Sequence, residues 1–150
     1  FYPDMTVMEN VKFYLRLHDK ENMFFNIEPT LKLVELWDER NRKPRDFSFG
    51  MKQRTALAIA MVAEPNFLLL DEPFSNLDGI SKKIIHQVLA DIFNEASFTC
   101  IMVSHNPNEL LSWADRLMIL KEGKLIQMDE TQAVQQNPAN AYVAQIIGKV

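Results

Sequence analysis

The sequence FLLLDEP at residues 67–73 places two adjacent carboxylates directly after four apolar residues. A short apolar run that ends at Asp71, Glu72 and Pro73 predicts a strand, residues 67–70, that is buried on both faces. Because successive strand side chains face opposite ways, the two acids can do different chemistry. One would hold Mg²⁺, and the other would orient and deprotonate a water that attacks a phosphate. The residues alone also allow a simpler role, in which the pair caps a turn or a helix.

Hydrophobic periodicity on either side of this strand alternates between helix and strand. The predicted helices cover residues 7–17, a segment after Pro29, residues 48–64, residues 80–93, residues 107–114 and a last amphipathic segment opened by Asn137-Pro138. The predicted strands cover residues 67–70, 98–103, 117–120 and 125–128, of which the last two form a pair joined through Glu122-Gly123. This order predicts an α/β fold with a mainly parallel sheet flanked by helices and a helical part at the N-terminus. Ligands of such sheets bind at the carboxyl ends of the strands.

Two helix starts are marked by capping residues. Thr6 and Glu9 form the capping-box pattern, which predicts a helix beginning at Val7. Ser48 and Gly50 stand at the start of the long third helix, where free backbone N–H groups and bare glycine backbone suit a phosphate. The alternative for Ser48 is that it is an N-cap and nothing more.

His105 directly follows the predicted strand 98–103, at the sheet edge expected for Asp71 and Glu72. From there an imidazole could hydrogen-bond a terminal phosphate or the attacking water. A structural role is the alternative for a single histidine. His18 and His86 lie on predicted helices without such surroundings, and we interpret both as structural.

The amino-acid composition limits the classes of protein to which the chain can belong. A chain of 150 residues that is 47% hydrophobic can bury one substantial core, as a domain or part of one. The net charge of −4 argues against non-specific nucleic-acid binding, and the basic cluster 40–45 is interpreted as a solvated loop. Cys100 is the single cysteine, so the sequence has no disulfide framework or cysteine metal knuckle. Without a run of roughly 18 apolar residues, the chain is predicted to be soluble and cytosolic.

Five motifs in order make the chain resemble the ATP-binding subunits of ABC (ATP-binding cassette) transporters. They are residues 2–11, similar to the segment after the glutamine loop; residues 47–54 (FSFGMKQR), similar to the LSGGQ signature and its x-Q-R extension; residues 67–72, similar to Walker B with its glutamate; residues 75–78 (SNLD), similar to the D-loop; and Ser104-His105, similar to the switch histidine. The resemblance spans the whole chain, and it implies a P-loop NTPase-like fold.

The resemblance implies a role for each matched residue. Asp71 would support Mg²⁺, Glu72 would act on the attacking water and His105 would touch the γ-phosphate of ATP. Family members work as head-to-tail dimers, so the signature residues Ser48, Gly50 and Gln53 would meet nucleotide held by the other subunit. Asp78 would lie at that dimer interface and is counted with the nucleotide-binding residues.

The resemblance also implies an organisation. Residues 1–60 would form a helical subdomain with the signature, and residues 61–150 would form part of the catalytic core. Partners would be transmembrane permease subunits, a second ATPase subunit and a solute-binding protein, with no nucleic acid. The resemblance also implies a peripheral membrane protein, bound on the cytoplasmic side of the cell membrane.

Two family elements are missing from these 150 residues. No G-x-x-x-x-G-K-[ST] run, the Walker A phosphate loop, occurs among the four glycines, and the match begins after the glutamine loop. Because the chain also opens on Phe1 instead of methionine, we expect a truncation with natural sequence upstream. These 150 residues by themselves are therefore predicted neither to bind ATP tightly nor to hydrolyse it.

The signature departs from the commonest form, since Phe49 replaces its first glycine. Glycine there lets backbone approach a phosphate, so Phe49 must point away from the nucleotide or loosen that contact. The form F-S-x-G-M-K-Q-R is similar to some exporters, whereas residues 71–78, 108–116 and 137–144 resemble importers. An importer is favoured. The alternatives are an exporter, a non-transport ABC ATPase and a degenerate module that does not hydrolyse ATP.

Overall fold

The computed structural model describes residues 1–95 and 99–149. It divides into two compact units, Phe1–Ile101 and Met102–Val150, with the boundary inside a strand. The first unit contains α1 (Val7–Leu17), α2 (Ile27–Leu33), α3 (Phe49–Met61), β1 (Phe67–Asp71), α4 (Gly79–Glu95) and the start of β2 (Thr99–Val103). The second contains β3 (Arg116–Lys121), β4 (Lys124–Glu130), α5 (Thr131–Gln136) and α6 (Ala141–Ile146). Short 3₁₀ helices lie at Glu21–Asn26, Pro44–Asp46 and Pro107–Glu109.

Helix α1 begins and ends where the sequence predicts. The Glu9 amide donates to the Thr6 hydroxyl at 3.2 Å, and the Thr6 amide donates to the Glu9 carboxylate at 2.7 Å. This capping box satisfies two backbone donors that the helix cannot pair internally. The bond from the Thr6 backbone also lowers the pKa of Glu9 below its usual value. The stabilisation is therefore present above the ordinary glutamate pKa and is lost as the pH falls through the lowered one.

Replacement of Thr6 by alanine is expected to lower the free energy of unfolding by about 1 kcal/mol, because the N-cap acceptor is lost. Denaturant unfolding at neutral pH measures the change. Thr30→Ala is the control, since Thr30 lies inside α2 and alanine is the better helix former. Equal stability of the two variants would contradict the capping role.

The second helix begins earlier than predicted. It starts at Ile27, so Pro29 is its third residue and does not precede it. Proline is tolerated in a first turn because its missing N–H would have no partner there. The helix ends at Leu33, and Leu36 is buried beyond it. The preceding 3₁₀ helix was not predicted.

The strand β1 confirms the predicted position but not the predicted burial. Leu68 is 5% exposed, whereas Phe67 and Leu69 on the opposite face are 53% and 60% exposed. The prediction of a strand buried on both faces is therefore wrong within the described residues, because only one face of β1 is covered. In the neighbouring strand, Ile101 and Val103 are also exposed.

A small parallel sheet forms between β1 and β2. The Thr99 amide at the start of β2 donates to the Asn66 carbonyl just before β1 at 3.0 Å, so the amino ends of the two strands lie together. The predicted start of β2 at Phe98 lies outside the described residues. Helix α4 connects the strands and buries Ile85, Val88, Leu89 and Ile92.

The second unit is built on the predicted strand pair. Strands β3 and β4 are antiparallel and joined by Glu122 and Gly123, with φ of +49° and +74°. Positive φ at both residues is the geometry of tight two-residue hairpins. The buried core comprises Leu117, Ile119, Val134, Val143 and Ile147.

Two predicted helices of this unit differ in the structure. The segment after Asn106 forms only the 3₁₀ helix Pro107–Glu109, and turns follow it. The last helix begins at Ala141, where the Asn140 side chain accepts from the Val143 amide at 3.0 Å, and not at Asn137. Asn137 instead ends the unpredicted α5. Both asparagines can cap a helix, and the sequence signal did not separate them.

The observed elements confirm the predicted α/β class, with the parallel part of the described sheet limited to β1 and β2. Among the helices of residues 1–95 and 99–149, none is long and apolar enough to cross a bilayer.

Candidate nucleotide site

The two carboxylates stand at the carboxyl end of β1. Asp71 is the last residue of the strand and is exposed. Glu72 follows with φ of +48°, in the left-handed region. Its carbonyl accepts from the Ser75 amide at 3.1 Å and from the Ser75 hydroxyl at 2.9 Å. A fixed turn thus holds the backbone of Glu72 directly beyond the strand.

The left-handed backbone does not by itself mark Glu72 as functional. In the described ranges, five further non-glycine residues have positive φ, among them Glu122 in the hairpin turn. Strain supports a functional hypothesis only where other features point to the same residue. For Glu72 that feature is its place after Asp71 at a strand end, where α/β sheets bind ligands.

The chemistry of Asp71 suits Mg²⁺. This cation keeps several waters and takes one or two protein carboxylates together with substrate phosphates. The exposed Asp71 side chain offers such oxygens. Over residues 1–95 and 99–149, no group of three or more His, Cys, Asp or Glu side chains could hold a metal alone. Asp71 could supply one protein ligand to a magnesium ion that also takes water and phosphate oxygens.

Ser48 caps helix α3. Its hydroxyl accepts from the Met51 amide at 3.3 Å, and its carbonyl accepts from the Lys52 amide at 3.0 Å. Ser48 is exposed, so its hydroxyl proton can also reach a ligand beyond the helix end. The predicted helix start is confirmed, and the phosphate role of Ser48 stays a prediction.

Ser81, which the sequence did not single out, lies beside Gly50 and forms hydrogen bonds with Asp78. A Cβ added to the buried Gly50 would lie 2.6 Å from the Cβ of Ser81 in α4. The Ser81 hydroxyl donates to Asp78 at 2.7 Å, and the amides of Ile80 and Ser81 donate to Asp78 at 2.9 Å each. The Ser81 amide is the main reason that the pKa of Asp78 is lowered. An aspartate directly before a helical pattern is an N-cap signal, and it could have identified Asp78 as the residue that caps α4.

The other signature residues lie further along α3. Gln53 is half-buried. Arg54 is largely buried, and its Nη1 donates to the carbonyls of Val34 at 3.1 Å and Glu35 at 3.3 Å. Within the described part of the chain, Arg54 Nε is the buried side-chain nitrogen or oxygen that has no partner. Arg54 therefore anchors α3 to the segment after α2.

His105 belongs to the second unit and is exposed. The loop around it is held by the buried Glu109, which accepts from the Ser104 hydroxyl at 2.6 Å and from the Asn106 side-chain amide at 3.2 Å. The Asn106 backbone amide also donates to the Ser104 hydroxyl at 3.0 Å. Glu109 lies in the first turn of the predicted helix 107–114, and its bonds to Ser104 and Asn106 were not predicted. The proximity of His105 to Glu72 stays a prediction.

The sequence model that describes the ABC transporter family matches residues 1–75. The match includes the capped start of α3 and the two carboxylates at the carboxyl end of β1. The chain belongs to the ABC transporter family. The resemblance drawn from the five motifs is thereby confirmed.

Curated relatives of this ABC transporter chain cover 99% of it. It is 36% identical to the glucose import ATP-binding protein of Saccharolobus solfataricus over 151 residues, which are 43% of that protein. It is 37% identical to the Fe(3+) ions import ATP-binding protein of Fusobacterium nucleatum, covering 40% of it. It is also 37% identical to the spermidine/putrescine import ATP-binding protein of Haemophilus influenzae, covering 41%. The chain thus spans about two-fifths of the length of these relatives.

A solved structure has the same fold. A metal-chelate type ABC transporter in an inward-facing conformation superposes with a TM-score of 0.76 at 22% identity, covering 89% of this chain and 56% of that one. The agreement supports the P-loop NTPase-like fold of the ABC transporter chain.

Proposed function

We propose that the protein containing this chain hydrolyses ATP to drive import of a solute across a membrane. The observation that carries the proposal is the Asp71-Glu72 pair at the carboxyl end of β1 in a chain of the ABC transporter family. The three relatives named above are import ATP-binding proteins by description, which favours import.

Each acid has a separate task in the proposed reaction. Asp71 would hold Mg²⁺, which neutralises charge on the phosphates when bound. Glu72 would accept a proton from the water that attacks the γ-phosphate, and the turn fixed by Ser75 keeps its backbone in place for this. His105, on the loop held by Glu109, would hydrogen-bond the γ-phosphate.

The signature residues would act on a second ATPase subunit. Ser48 is exposed at the start of α3, where free backbone donors attract phosphate. Ser48, Gly50 and Gln53 would close over nucleotide that the other subunit holds, with Asp78 at the interface. The second subunit can be identical or different.

We also propose the organisation that the family implies. Residues 1–60 would be the helical subdomain and residues 61–150 part of the catalytic core. The protein would bind permease subunits at the cytoplasmic side of the membrane, and a solute-binding protein would be a further partner.

One observation favours an alternative without hydrolysis. Phe49 occupies a signature position and is 48% exposed beside Ser48. An exposed aromatic ring there can obstruct a phosphate, which a degenerate module would tolerate. The carboxylates and His105 are nevertheless all present, so hydrolysis remains the proposal.

The experiment is phosphate release from Mg-ATP by the full-length protein, compared with the 150-residue chain. Full-length protein is expected to turn over ATP. The 150 residues alone are expected to show none, since they contain no Walker A motif to bind the phosphates. Turnover by the short chain would refute the predicted inactivity, and an inactive full-length protein would favour the degenerate alternative. Phe49→Gly tests whether the ring obstructs activity.

A further inference from the structure

Gly50 is enclosed by its own chain. It is the second residue of α3 and is buried although its neighbours Ser48 and Phe49 are exposed. An added Cβ would lie 2.6 Å from the Cβ of Ser81 and 3.6 Å from Leu77 Cδ2. The first distance is too short for two carbon atoms, so any larger residue at position 50 must displace Ser81. The requirement for glycine therefore arises within one subunit.

Ser81 is in turn tied to Asp78. Its hydroxyl and its amide both donate to the Asp78 carboxylate, at 2.7 Å and 2.9 Å. Because Ser81 is short, its Cβ cannot move away from Gly50 without moving the first turn of α4. A shift of that turn would change the bonds that orient Asp78.

We propose that Ser81 is a positioning residue that couples the start of the signature helix α3 to Asp78 through its contact with Gly50. The contact would make α3 and the Asp78 turn move together, so that both would face a partner subunit in one fixed arrangement. Glycine at position 50 then serves packing inside the subunit in addition to any approach to nucleotide. The activity arm of the test rests on the proposed ATPase function, while the packing arm does not.

The test is a set of variants in the full-length protein. Gly50→Ala introduces the clash, and Gly79→Ala is the matched control, because a Cβ on Gly79 meets nothing within 4 Å. Ser81→Gly, alone and combined with Gly50→Ala, removes both Ser81 atoms that the new Cβ would meet. Ser81→Ala combined with Gly50→Ala removes the hydroxyl but keeps the Cβ. The measurements are the thermal unfolding midpoint, and kcat and KM for ATP.

The clash is expected to lower kcat roughly tenfold to a hundredfold, as small misplacements near a reacting site do. Gly79→Ala should stay close to the unchanged protein. Gly50→Ala with Ser81→Gly should regain the kcat and the unfolding midpoint of Ser81→Gly alone, whereas the combination with Ser81→Ala should not. If Gly50→Ala cannot be obtained folded, recovery of folded protein with Ser81→Gly supports the coupling equally.

Two outcomes would overturn the proposal. One is a Gly50→Ala protein with normal stability and kcat. The other is a combined Gly50→Ala and Ser81→Gly protein whose kcat is as low as that of Gly50→Ala. Glycine at position 50 would then be needed only for contact with nucleotide. If the unchanged full-length protein hydrolyses no ATP, the proposed function fails, and the unfolding midpoints still decide whether Gly50 and Ser81 are coupled.

Discussion

Replacement of Glu72 by glutamine is expected to slow ATP hydrolysis by the full-length protein by about 10²–10⁴-fold, the usual contribution of a general base. Glutamine keeps the size of the side chain and can still hydrogen-bond the water, but it cannot take the proton. Binding of ATP should persist, because the phosphates are held by other groups. Steady-state phosphate release and equilibrium nucleotide binding measure the two effects separately.

Glu122→Gln is the matched control for this substitution. Glu122 has φ of +49° and Glu72 has φ of +48°, so both variants place glutamine on the same left-handed backbone. Glu122 lies in the turn between β3 and β4, where no catalytic role is proposed. Glu122→Gln should therefore keep normal turnover. Normal turnover by Glu72→Gln would exclude Glu72 as the base.

Replacement of Leu15 by alanine is expected to lower the free energy of unfolding by about 2–5 kcal/mol, because it removes a fully buried side chain and leaves a cavity. Leu15 is 0% exposed on α1, which packs against α2 and α3. The loss should appear as a lower denaturant midpoint without a change of slope.

Leu17→Ala provides the control within the same helix. Leu17 is 60% exposed, so its truncation should change the free energy of unfolding by about 0.5 kcal/mol or less. Similar losses for both leucines would show that α1 does not pack as the structure has it.

Capping and turn residues predicted those parts of the fold that depend on hydrogen bonds between residues close in sequence. The capping box gave both the start of α1 and its hydrogen bonds. Ser48 marked the start of α3, and Glu122-Gly123 marked the hairpin turn. In each case a few consecutive residues satisfy their own backbone groups, so neighbouring sequence contains the whole explanation.

The sequence predicted the candidate residues of the site but not the hydrogen bonds around them. Asp71 and Glu72 were placed at a strand end because a strand delivers its last residues to the sheet edge. The support of Ser104 and Asn106 by the buried Glu109 was not foreseen. A glutamate in a first turn has several partners within reach, and packing selects among them.

The sequence by itself determined the α/β class, because helix and strand periodicity are local patterns. The family was indicated by the resemblance of five short motifs, in order, to ABC ATP-binding subunits. Only the tertiary structure decided which face of β1 is covered and which residue requires Gly50 to be glycine. Gly50 and Ser81 are thirty-one positions apart, and no local pattern joins them. Their contact exists because α3 and α4 pack closely, and packing between distant segments is set by the whole fold.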